Sequence, residues 1–236
     1  MKKLRQSGGY RKLASFQTTT IIYDATVRFC ERFLDARSRT VDQMIQAARS
    51  GRQNIAEGSR ASATSTESEL KLTNVARSSL EELLLDFEDY LRQKRFKLWD
   101  RDSDESKQVR LKATGHPELV SFTDSDRWDL YSPWLENESP EVRANAIICL
   151  IHQANFLLDQ QVGSLERDFI QTGGYREQLH AARIKHRAEQ IGDDSPKCPA
   201  CNGLMSIRTA RNGKRSGSQF WGCVKYPNCT GTVPID

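Results

Sequence analysis

Cys198 and Cys201 are separated by two residues, Cys223 follows after twenty-one more, and Cys229 after a further five. Two close pairs of thiols at this spacing suit a tetrahedral four-thiolate Zn2+ site. Two disulfides could use the same four residues. The other two cysteines, Cys30 and Cys149, stand alone in apolar helical stripes, and the N-terminus reads as having no signal peptide. Both features favour a reducing, cytoplasmic setting, where such a pattern binds metal. Cys198, Cys201, Cys223 and Cys229 are therefore the expected zinc ligands. A segment of about 40 residues has too little interior to fold by burial alone, so the metal would supply its folding energy.

Charge singles out the same segment. The whole chain has a formal net charge of +4, yet residues 197–236 hold six basic side chains and one acid, Asp236. The remaining 196 residues are nearly neutral, with 29 basic and 30 acidic groups. Four thiolates around one Zn2+ add a charge of about −2, which leaves the segment near +3. That predicts a polyanionic partner. The run Leu204–Thr209 alternates apolar and polar residues like a half-buried strand, Asn212-Gly213 is a hairpin signal, and Gln219–Gly222 would return as the partner strand and deliver Cys223. Two cysteine knuckles around a hairpin make a small β zinc ribbon. Its candidate phosphate contacts are Arg208, Arg211, Lys214, Arg215 and Lys225. Phe220, Trp221 and Tyr226 could stack on bases, which suits single strands because stacking tolerates any base. Trp221 and Tyr226 could equally pack around the knuckles.

The run from Cys198-Pro199-Ala200-Cys201-Asn202-Gly203 through Phe220-Trp221-Gly222-Cys223 to Lys225-Tyr226-Pro227-Asn228-Cys229 resembles the C-terminal zinc finger of bacterial type IA topoisomerases. The resemblance implies binding of single-stranded DNA and no part in strand cleavage. Asn202 stands where that family usually has glycine.

Upstream, the pattern is helical. Ile21, Ile22, Ala25, Phe29, Phe33 and Leu34 recur at three-and-four spacing and predict a first helix of roughly 15 residues. Val41, Met44, Ile45, Ala48 and Ile55 define a second, with small residues Ala47, Ala48, Gly51 and Ala56 that allow close helix approach. Thr66 with Glu69 reads as a capping box for a third helix reaching about Lys97. Ser139-Pro140-Glu141 starts a fourth, which Gly173-Gly174 stops. The expected fold is mainly α: an up-down four-helix bundle over 20–172, with an insertion at 98–138 whose aromatics fold back onto it. A basic N-terminal arm, 1–19, precedes the bundle, either solvated or touching nucleic acid. A short basic helix and linker, 173–196, connect it to the ribbon at 197–236. Ser7-Gly8-Gly9-Tyr10-Arg11 is echoed by Thr172-Gly173-Gly174-Tyr175-Arg176.

Gln46–Gly58 and Leu72–Leu83 resemble the bacterial four-helix-bundle proteins related to those encoded in intervening sequences of large-subunit ribosomal RNA. Characterised relatives assemble as pentameric barrels, and one serves diversity-generating retroelements by binding nucleic acid and a reverse transcriptase. The resemblance implies a homo-oligomer, with a pentamer as the expected form, and a nucleic-acid enzyme as a further partner. Asn54 and Glu57 are expected to pair with Arg77 or across a subunit interface, since buried polar groups need partners.

No apolar run approaches the about 20 residues of a membrane span. Thr123-Asp124-Ser125-Asp126-Arg127 echoes the acidic metal-binding stretch of topoisomerase catalytic domains, but such runs before a helix usually serve as caps. His116, His152, His180 and His186 are scattered, with no Cys–His or Ser–His–acid constellation. The expectation is a non-enzymatic binder of DNA or RNA, an oligomerising bundle that displays a zinc ribbon. The alternative is an adaptor that docks a nucleic-acid enzyme through the bundle, its ribbon purely structural.

Overall fold

The computed structural model describes residues 8–114, 121–189, 195–211 and 216–235. The described chain is mainly helical and ends in a small antiparallel sheet. It divides into two compact units, Met1–Thr172 and Gly173–Asp236.

The first unit contains α1 (Ala14–Phe33), α2 (Arg39–Ala61), α3 (Thr66–Lys94), α4 (Asp104–Thr114), α5 (Asp124–Leu135) and α6 (Pro140–Thr172). Helix α1 packs on α2, α2 on α3, α3 on α6, and α6 returns to α1. Their apolar stripes enclose one core of fully buried side chains, including Phe29, Phe87, Ile22, Leu80, Leu150 and Ile151. At one end of it, Phe29 meets Phe87 at 5.1 Å and Tyr90 at 5.0 Å, both edge to face. The small residues of α2 act as expected. Gly51 lies so close to Leu80 that an added Cβ would sit 3.0 Å from its Cδ2, and Ser50 and Ser79 share a 2.9 Å hydrogen bond across the same seam.

Several boundaries differ from the sequence reading. Residues 14–19, read as arm, are the first turns of α1, and Ser15, Gln17, Thr18 and Thr19 are buried there. The β-branched threonines hide the helical signal, but Thr19 and Thr20 satisfy their hydroxyls by donating to the Phe16 carbonyl. Ser65, not Thr66, caps α3, accepting from the Ser68 N–H at 3.1 Å. That helix stops at Lys94 because Arg95 turns left-handed, with φ 58°.

The insertion folds back on the helices. Both α4 and α5 pack against α6, and Trp99, Trp128 and Trp134 lie half-buried against the core. Buried Asn145 of α6 ties down the entry to this insertion: it accepts from the Trp99 N–H at 2.7 Å and donates to the Lys97 carbonyl at 2.9 Å. Helix α5 is an element the sequence reading did not name. Thr123 and Asp126 form its capping box, and Asp124 pairs with Arg127 at 2.8 Å, so these acids serve a helix start.

In the second unit, α7 (Tyr175–Glu189) precedes β1 (Met205–Thr209), β2 (Gln219–Cys223) and β3 (Thr232–Pro234), ordered β1-β2-β3. Both Gly-Gly-Tyr copies precede a helical turn through left-handed glycine, at Gly8 and Gly9 in the first and at Gly173 in the second. The expected hairpin strands are present. Asn212-Gly213 and residues 190–194 of the linker segment lie outside the described residues, as do Lys2, Lys3, Arg5 and His116. No helix among the described residues is long and apolar enough to cross a membrane.

Candidate metal centre and nucleic-acid interface

Each cysteine pair is delivered by a tight knuckle. In the first, the Cys198 N–H donates to the Gly203 carbonyl and the Asn202 N–H to the Cys198 carbonyl, both at 2.8 Å. Asn202 takes a left-handed conformation, φ 55°. Asparagine tolerates that region better than most residues, which explains how it replaces glycine there. In the second knuckle, Tyr226 N–H donates to the Cys223 carbonyl and Cys229 N–H to the Lys225 carbonyl, each at 3.2 Å. Cys223, the last residue of β2, is fixed by its N–H bond to the Gly231 carbonyl.

The four Sγ atoms all lie within 4.8 Å of one another. Cys198 and Cys229 are 3.7 Å apart, and Cys201 and Cys223 3.6 Å. Disulfide sulfurs would sit at about 2.05 Å, whereas a tetrahedron with Zn–S bonds of 2.3 Å has edges of about 3.8 Å. These two edges match the tetrahedron and exclude a disulfide, and Cys198, Cys201, Cys223 and Cys229 are the residues that would hold Zn2+. Burial pushes the Cys198 thiol up, but N–H groups of Ala200 and Cys201 and the neighbouring thiols outweigh it and bring it to about 7. Burial also pushes Cys223 up, and there the neighbouring thiols add to it and bring it to about 12, although the Lys225 N–H points at its sulfur from 3.4 Å. Cys198 is thus readier to ionise than Cys223, and a divalent cation supplies what Cys223 and Cys229 need to follow. Gly231 closes over the site: a Cβ there would lie 2.3 Å from the Cys198 sulfur.

The sheet separates the sequence-proposed contacts by face. Register pairs Ile207 with Trp221 and Trp221 with Val233, and Trp221 packs against Cys198, Met205 and Cys223. Trp221 therefore belongs to the small core around the cysteines. Arg208 pairs with Phe220 on the other face. There a groove of about 960 Å³ is lined by Arg208, Arg211, Phe220, Tyr226, Thr230 and Thr232 among others. Arg208 lies along Gly222, donates to the Cys223 carbonyl at 2.9 Å and sets its guanidinium 5.1 Å from the centre of the Tyr226 ring. It braces an aromatic ring that is 53% exposed. Arg211 and Lys225 are exposed, and Lys214 and Arg215 lie outside the described residues.

Sequence reasoning missed Ser195, whose hydroxyl bonds both the N–H and the carbonyl of Met205, and the third strand, signalled only by the short Thr232-Val233. On the helices, Asn54 donates back to the Ser50 carbonyl at 2.9 Å and Glu57 is exposed. Arg77 does not turn to either: it reaches Asp159 of α6 at 2.8 Å and Asn74 at 3.1 Å, because α6 lies on that side of α3.

Residues 195–236 match the family described as topoisomerase DNA binding C4 zinc finger. Over 39 residues the chain is 46% identical to DNA topoisomerase 1 of Archaeoglobus fulgidus, a match covering 16% of this chain and 5% of the length of that relative. No solved structure matches the chain. The C-terminal segment is a C4 zinc ribbon of the topoisomerase type, with its four cysteines placed to bind Zn2+.

Proposed function

We propose that the chain is a non-enzymatic nucleic-acid-binding protein in which an oligomerising helical bundle displays a zinc ribbon for single-stranded DNA or for RNA. The observation that carries this reading is the ribbon's open face, where Arg208 holds Tyr226 beside Phe220 in a groove flanked by exposed Arg211. The cyclic packing of α1, α2, α3 and α6 supports an up-down four-helix bundle. Exposed Leu85 and Ile170 offer it apolar surface for a second copy. Displaying several ribbons would raise avidity by effective concentration.

The test is fluorescence anisotropy with a labelled single strand and zinc-loaded protein across a salt series. Tyr226→Ala and Phe220→Ala should each weaken binding by about 1–3 kcal/mol. Replacing Lys214 and Arg215 by alanine should flatten the salt dependence. No binding at low salt would sink the proposal, and a strict monomer in light scattering would remove its oligomeric part.

A further inference from the structure

The helical unit carries a cleft that nucleic-acid binding leaves unused. Its volume is about 950 Å³ and its walls come from α1, the segment after α3, α4, α5 and α6. Ile21 and Ile148 form buried apolar wall, Trp99 and Tyr131 are aromatic wall, and Leu98 and Phe156 stay 47% and 61% exposed at the lip. The wall is braced, since Asn145 ties the Lys97–Trp99 backbone to α6.

The charged groups of this lining are uneven in sign. Arg101, Arg110 and Arg127 line the cleft, against one carboxylate, Asp102. Arg127 is the deepest, its side chain only 8% exposed and steadied by Asp124 from the start of its own helix. Arg110 stands near enough to Cys149 for its charge to favour the thiolate, although burial prevails and keeps that thiol above its ordinary value. Size, apolar walls and a few converging polar groups are the features of a small-molecule site. Guanidinium groups in a partly dry cleft favour an anion over a cation. A nucleic-acid strand needs an extended basic track, which an apolar cleft does not provide.

We infer that this cleft binds a small organic acid, with an apolar body lying against Trp99, Ile148 and Phe156 and one anionic group directed to Arg110 and Arg127. It is independent of the ribbon. The test uses the full zinc-loaded chain and two probes that share one anilinonaphthalene skeleton: anionic 8-anilinonaphthalene-1-sulfonate and its uncharged parent N-phenyl-1-naphthylamine. The expected result is one site per chain with the anion bound about tenfold tighter, as one charge-assisted contact provides. Arg110→Gln should remove most of that preference and leave the neutral probe unchanged. Phe156→Ala, at the exposed lip where folding is not at stake, should weaken both probes several-fold. Equal affinity for the two probes, or indifference to both substitutions, would overturn the inference without touching the ribbon reading.

Discussion

Single thiols in this chain have opposite fates according to what surrounds them. At Cys198, N–H donors and neighbouring sulfurs favour the thiolate, whereas burial pushes Cys30 up to about 12, with Asp86 and Glu31 adding to it. Cys30 should therefore resist alkylation at pH 8 in the native protein and react once the helices unfold, as mass spectrometry of labelled peptides would show. Unfolding returns its thiol to an ordinary value near 9. Above that pH the unfolded chain releases a proton that the folded chain keeps. The contribution is whole below pH 9 and is lost as pH rises toward 12, so urea midpoints of the helical unit should fall across that window. Serine at Cys201 or Cys229 leaves three thiolates, and zinc stoichiometry measured by a chromophoric chelator should drop from one per chain toward zero. The ligands were legible in the sequence because each knuckle is a local motif with its own spacing. The work of Arg208 was not: its contact with Tyr226 and the Cys223 carbonyl depends on strand register and on Gly222 leaving room.

Close packing of α2 on α3 depends on an absent side chain. Gly51→Leu would force Leu80 out of a fully buried position and should cost about 1–3 kcal/mol or more in urea unfolding. Gly163 in α6 is the contrasting case, because an added Cβ would meet only the flexible end of Arg167 at 3.4 Å. Gly163→Ala should stabilise the helix by about 0.5–1 kcal/mol, and a loss of stability would count against this account. Helices with long apolar stripes could be read from sequence because a 3.6-residue period survives any local detail. Helix α5 could not, since its first turn is acidic and Pro133 interrupts its last one. The front of α1 escaped notice for a related reason: Thr18, Thr19 and Thr20 read as neutral or unfavourable in a helix, and only burial against the rest of the unit holds them there.

The molecule couples a nearly neutral helical unit to a small ribbon that carries the basic surplus. The ribbon's buried core is little more than Cys198, Met205 and Cys223 with a few half-buried neighbours, so its stability should follow metal binding. A strong zinc chelator should abolish single-strand binding and collapse the dispersion of ribbon amide signals in NMR. Helical circular dichroism at 222 nm should stay nearly constant, because the core of the helical unit has no need of the ion. Parallel loss of both signals would show that the two units do not fold separately.

Gly231 supplies no ligand atom, yet it covers the Cys198 sulfur with nothing but a backbone. In a library of random substitutions selected for grip on nucleic acid, position 231 should tolerate change as poorly as the cysteines themselves. At Gly222 an added Cβ would displace the stem of Arg208, so replacements there should weaken grip through Tyr226 while zinc stoichiometry stays near one per chain. A map of mutational tolerance would thus mark, on a residue that looks dispensable, the outline of the metal site beneath it.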